Sequence, residues 1–142
     1  MEPLAINIAE EFGVDFGHVF QQQFLLTKDR KSPIKDMTVE ALGAWSLHLG
    51  KDLPAEIIRV DEDTQIAFLG IGVDEGGEIV TTARLAAKWK EYRSIDRMIE
   101  YLNLCAGRYV FIVVCPKYQR IYLDSGSTMG VLYDPRTGSI AS

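Results

Sequence analysis

An α+β fold built on antiparallel strands is the architecture this sequence predicts, and three observations carry that expectation. Short β-branched and aromatic runs separated by tight turns fill the middle of the chain, as in an antiparallel meander. Residues 81–106 carry helical periodicity instead. An apolar run, a turn and a second β-leaning run then form a hairpin in the C-terminal third. At 142 residues the chain has the length of one domain, 1–142, able to remove roughly two-thirds of its unfolded surface from water without disulfides or metal.

Along the chain, residues 1–35 are polar and broken, with one β-leaning run from His18 to Thr27 and a loop of turn composition at Lys28, Asp29, Arg30, Lys31, Ser32 and Pro33. A short helix or turn is expected after Asp36. Trp45, Leu47 and Leu49 then alternate with Ser46 and His48, the period of a strand with one buried face, and Gly50 to Pro54 ends it. Ile57, Ile58 and Val60 lead through the acidic turn Asp61 to Thr64 into Ile66–Val73, which predicts a hairpin. A second turn follows at Asp74 to Gly77, before Ile79 and Val80.

Ser94 stands as an N-cap, Asp96 falls in the first turn, where the helix dipole favours an acid, and Ile95, Met98, Ile99 and Leu102 recur on one helical face. Gly107 is placed to end that helix. Arg108–Cys115 is too apolar for a strand with a wet face and predicts a central strand covered on both sides, with Arg120–Leu123 returning as its partner. Val131, Leu132 and Tyr133 form a further strand, and after the turn at 134–138 another opens at Ser139–Ala141. The chain stops inside that hairpin, so these residues are expected to be the N-terminal part of a longer protein, with Ser139–Ser142 and its neighbour Val131–Tyr133 left unpaired on a sheet edge.

Composition narrows the function classes. Apolar residues make up 47% of the chain and charged residues 25%, near globular averages. A formal charge of -5 opposes phosphate attraction, so no nucleic-acid partner is expected. The longest apolar run, Tyr109–Cys115, is too short to span a bilayer, so no membrane partner is expected either. Glu2, Glu10 and Glu11 suit neither a secretory nor a mitochondrial leader, and a cytoplasmic location follows.

Few residues carry chemistry. Cys105 and Cys115 lie ten positions apart without a CxxC or a nearby His, which fits small buried hydrophobes better than a disulfide or zinc site. Arg84, Lys88, Lys90 and Arg93 form a basic cluster, read as a solvated helix face rather than an anion site. The loop Asp124–Gly130 has Thr128 where a serine elbow needs Ser, and its glycines read as turn chemistry rather than an anion cradle. His18 and His48 have no acid spaced to orient them, and Asp61–Asp63 lacks the glycine and distal Glu of a calcium loop. No catalytic, cofactor-binding or metal residue is therefore assigned.

The helix, Gly107, Arg108, Tyr109, Phe111, Ile112 and Val113, then Ile121 and Leu123, then Leu132 and Tyr133 together resemble the N-terminal glutaminase-like domain of the asparagine synthase family. The stretch from His48 through Asp52, Leu53, Pro54, Ile58 and Phe68 to Asp74 resembles the early hairpin of divergent members. The resemblance implies an Ntn-hydrolase-like fold, stacked antiparallel sheets flanked by helices in an αββα arrangement. It also implies a following ATP- and magnesium-using synthetase domain, which lies outside these residues. A class II glutaminase uses an N-terminal Cys whose α-amino group is its own base. This chain instead begins Met1, Glu2, Pro3, and neither Cys105 nor Cys115 can become a first residue that leaves a domain behind it. The family's glutamine-binding segments are also replaced: Arg93, Ser94, Ile95 and Asp96 stand at the helix, and Asp124, Ser125 and Gly126 at the late loop. In this the chain is similar to the β-lactam synthetase and lasso-peptide cyclase branches, which keep the domain without its nucleophile.

The resulting expectation is a non-catalytic Ntn-like scaffold and interface domain of an asparagine synthase-like, ATP-dependent amide-forming ligase. Its expected partners are its own C-terminal domain and a second copy. The alternatives are an active glutamine amidotransferase domain with an unusual nucleophile, and a stand-alone interaction module.

Overall fold

A computed structural model of the protein describes residues 11, 13, 20–32, 34 and 36–142. The chain is α+β, with two antiparallel sheets and two helices of eight or more residues among the described residues. It divides into two compact units, Met1–Ala41 with Trp45–Leu53 and Leu132–Ser142, and Leu42–Ala44 with Pro54–Val131.

The first unit carries a five-stranded sheet. Its strands are β1 (Phe24–Thr27), β2 (Thr38–Leu42), β3 (Trp45–Leu49), β8 (Leu132–Tyr133) and β9 (Ile140–Ala141), in the order β2-β3-β1-β9-β8. The run expected from His18 begins as a strand only at Phe24, because 20–22 turn; His18 and Val19 lie outside the described residues. After Asp36, whose φ of 69° makes a left-handed turn, the chain enters β2 rather than a helix.

Two further expectations are corrected here. β3 pairs with β1 (Leu25↔His48, Thr27↔Ser46) rather than with the strand that follows it, and both of its faces are buried. Thr27 lies opposite Ser46, and His48 Nε2 bonds the Asp29 carbonyl at 2.9 Å while its Nδ1 is buried without a hydrogen-bond partner among the described residues. The C-terminal strand is not an open edge. β9 is flanked by β1 on one side and β8 on the other, Ser142 N–H donates to the Phe24 carbonyl at 3.1 Å, and Phe24 N–H donates to Ser142 Oγ at 3.2 Å. The edges of this sheet are β2 and β8.

The second unit carries a four-stranded sheet, β4 (Ala55–Arg59), β5 (Gln65–Val73), β6 (Ala106–Cys115) and β7 (Tyr118–Leu123), in that order and antiparallel throughout. The β4–β5 hairpin turns at the acidic segment, as its composition predicts. β6 is the covered central strand, with every residue from Tyr109 to Val114 buried. Between β5 and β6 run α1 (Thr82–Tyr92) and α2 (Ile95–Asn103). β5 and β6 are antiparallel neighbours, so this helix pair is no parallel crossover.

The start of α1 is held by capping bonds. Thr81 Oγ1 accepts from Arg84 N–H at 3.2 Å, and the Glu56 carboxylate accepts from the Thr82 amide and hydroxyl. Those bonds to Thr82 hold the Glu56 carboxyl below its ordinary range. Ser94 is the N-cap of α2 by position, but its side chain makes no capping bond. Met98 and Leu102 are buried with Leu85, Phe68, Tyr109 and Phe111, and Ile95 packs against them, whereas Ile99 stays outside that core. Gly107 does not end the helix. It sits inside β6 with φ +138°, where an added Cβ would lie 2.2 Å from the Ile71 carbonyl oxygen, so it is glycine because β5 approaches too closely for anything else.

Candidate functional site

The loop that follows β7 is held by one carboxylate. Asp124 is buried, and its oxygens accept from the amides of Gly126 (3.0 Å), Thr128 (3.1 Å) and Tyr109 (3.3 Å) and from Thr128 Oγ1 (3.0 Å). Burial opposes its charge, but these bonds outweigh burial and hold the carboxyl below its ordinary range. The amides that give a glycine–serine loop its affinity for anions are thus occupied by the loop's own Asp124. Sequence reasoning read the Asp124–Gly130 loop as turn chemistry but did not single out the Asp124 carboxylate as what holds it. The available signal was Asp followed by Ser, Gly, Ser and Thr, a composition that favours side-chain to backbone bonds.

Other candidate groups are also committed to structure. The Cys105 thiol is buried, donates to the Tyr101 carbonyl at 3.4 Å, and is pushed up from its usual range by burial. Cys115 is half-buried at the end of β6 rather than fully buried as expected. His48 is fully buried, and His18 lies outside the described residues. The acidic hairpin end is more than a solvated turn: Asp61 Oδ2 accepts from Trp89 Nε1 at 3.2 Å and so ties α1 to the β4–β5 turn.

Two of the four members of the basic cluster are paired with acids. Arg84 pairs with Asp74 at 2.5 Å, and Lys88 pairs with Glu91 at 3.3 Å while lying 5.2 and 5.6 Å from the ring centres of Tyr92 and Tyr101. Arg93 is the left-handed C-cap of α1, and Lys90 is exposed. The cleft of about 560 Å³ beside these residues also receives Glu75, Arg97 and Glu100, so acids and bases alternate around it. Among the described residues, no group of three or more His, Cys, Asp or Glu is placed to hold a metal, and no helix is long and apolar enough to cross a membrane.

The larger cleft, about 760 Å³, belongs to the first unit. Leu25, Leu132, Tyr133, Pro135 and Ile140 give it an apolar lining, and Asp29, Lys31, Asp134 and Arg136 stand around it. It lies along β8, whose Leu132 and Tyr133 are 77% and 62% exposed. An apolar groove beside an exposed sheet edge suits another polypeptide better than it suits bond-making chemistry. Against known protein families, characterised proteins and solved structures, the chain matches none.

Proposed function

We propose that this chain is a non-catalytic Ntn-like domain of the asparagine synthase type, acting as scaffold and interface rather than as a glutaminase. One observation carries the reading: the Cys105 thiol and the late loop, the groups that would take part in glutamine chemistry, are spent on structure. Cys105 sits under the helix core with its thiol protonated, and the Asp124 carboxylate fills the loop that would otherwise offer amides to an anion. The two antiparallel sheets, and the helix pair packed on the second of them, support the same architecture at a coarse level. The exposed β8 edge supports the interface role, and it favours equally the second reading, a stand-alone interaction module.

A coupled ammonia assay with L-glutamine tests the proposal. The expected result is release no faster than in buffer. Release that scales with protein and disappears in Cys105→Ala or Cys115→Ala establishes an amidotransferase instead.

A further inference from the structure

We propose that β8 is a self-pairing edge through which two copies of this chain associate about a two-fold axis. The proposal goes beyond the domain reading and stands on this edge alone. In the order β2-β3-β1-β9-β8, β8 has β9 on one side and, among the described residues, no strand on the other. Asp134 N–H donates to the Ser139 carbonyl at 2.9 Å, so the alternation of an antiparallel ladder turns the N–H and C=O of Tyr133 away from β9, toward the open side. The two side chains of this strand leave on opposite faces, and Leu132 is the most exposed large hydrophobic among the described residues.

Charge selects the occupant. The protein carries a formal -5, so two copies repel over most approaches, yet the rim of this groove balances Asp29 and Asp134 against Lys31 and Arg136. Asp134 and Arg136 are already paired at 3.3 Å. A neutral, apolar edge has nothing to attract a strongly charged partner, but it is complementary to itself. A two-fold axis sets Leu132 against Leu132 of the second copy and lets the acids of one rim meet the bases of the other. β8 has only two residues, and Pro135 follows without an N–H to donate, so the shared ladder is short. Apolar contact in the groove therefore contributes more than backbone bonds, and the dimer forms in proportion to concentration instead of being obligate.

Sedimentation velocity on the 142-residue chain from low to high micromolar concentration tests this. The expected mass rises from 15.9 kDa toward twice that value, with little dependence on salt. Leu132→Lys and Tyr133→Lys are each expected to weaken the dimer roughly tenfold or more, with unchanged circular dichroism. Leu104→Lys, at an exposed apolar position in the other unit, is expected to leave it intact. If Leu132→Lys does not fold, Tyr133→Ser supplies the same reading. A monomer at every concentration overturns the proposal. So does a dimer that survives the folded β8 variants, one abolished by salt, or one lost in Leu104→Lys instead.

Discussion

Tyr109 and Asp124 hold each other from both sides: the Asp124 amide donates to the Tyr109 carbonyl at 3.1 Å, and the Tyr109 amide donates to the Asp124 carboxylate at 3.3 Å. The start of the core of β6 and the loop after β7 are thereby locked together through one residue pair. Tyr109 is fixed at its far end as well, where its hydroxyl donates to the Leu102 carbonyl of α2 at 2.6 Å. Sheet, helix and loop of the second unit meet at this tyrosine.

Replacing Asp124 therefore strips the loop of its acceptor. Asp124→Ala leaves the buried Tyr109 amide without a partner and frees the amides of Gly126 and Thr128, at an expected cost of about 2 to 3 kcal/mol. Urea denaturation at neutral pH, comparing midpoints at equal slope, measures it.

The same carboxylate gives the fold an acid sensitivity of known sign. Its pKa is depressed in the folded state, so between the folded value and the ordinary one near ~3.9 the unfolded chain binds more protons. The stabilisation is complete above the ordinary value and is lost as pH falls toward the folded one. Asp124→Asn keeps an acceptor without the charge, so it is expected to cost less than Asp124→Ala at pH 7 and to flatten the fall in stability on acidification. Glu56, Asp61 and Asp134, also depressed, contribute in the same direction.

Tyr109→Phe removes a buried hydroxyl and leaves the Leu102 carbonyl at the end of α2 short of that donor, an expected loss of about 1 to 2 kcal/mol. Thermal melts of the two proteins, read at matched concentration, check it.

Gly107→Ala is expected to be more damaging. A positive φ of 138° and a Cβ 2.2 Å from a backbone oxygen leave no side chain to move aside, so β5 and β6 must separate locally. A loss of at least about 2 kcal/mol, or failure to fold, is expected. Hydrogen exchange across β5 is the readout that localises the effect.

Much of the second unit is legible in the sequence because its signals are local. The β6 run from Tyr109 to Val114 is apolar at every step, and Met98 and Leu102 fall on one face of α2 by spacing alone. The first unit is harder to read. β2 carries Glu40 and is exposed over all but its last residue, so no hydrophobic alternation announces it. The burial of Ser46 and His48 depends on Thr27 and Asp29, which lie on another strand and its following loop. β9 joins β1 across a separation of more than a hundred residues, a pairing to which no local pattern points. At the candidate site, Leu132 and Tyr133 were legible as an edge strand, but the expectation that Ser139–Ser142 shares that edge fails because β9 pairs with β1. Gly107 read as a helix stop because a lone glycine after a helical period signals a C-cap, and the close approach of Ile71 is a tertiary fact.

The central claim, that no side chain of this domain serves as a nucleophile toward glutamine, is tested most directly by incubating the folded chain with a glutamine-like electrophile and reading its intact mass. The account predicts the unmodified mass and, after unfolding, reaction at both thiols with an ordinary alkylating agent. Stoichiometric addition to the folded protein, mapped to Cys105 or Cys115 and abolished by its replacement with Ala, contradicts it.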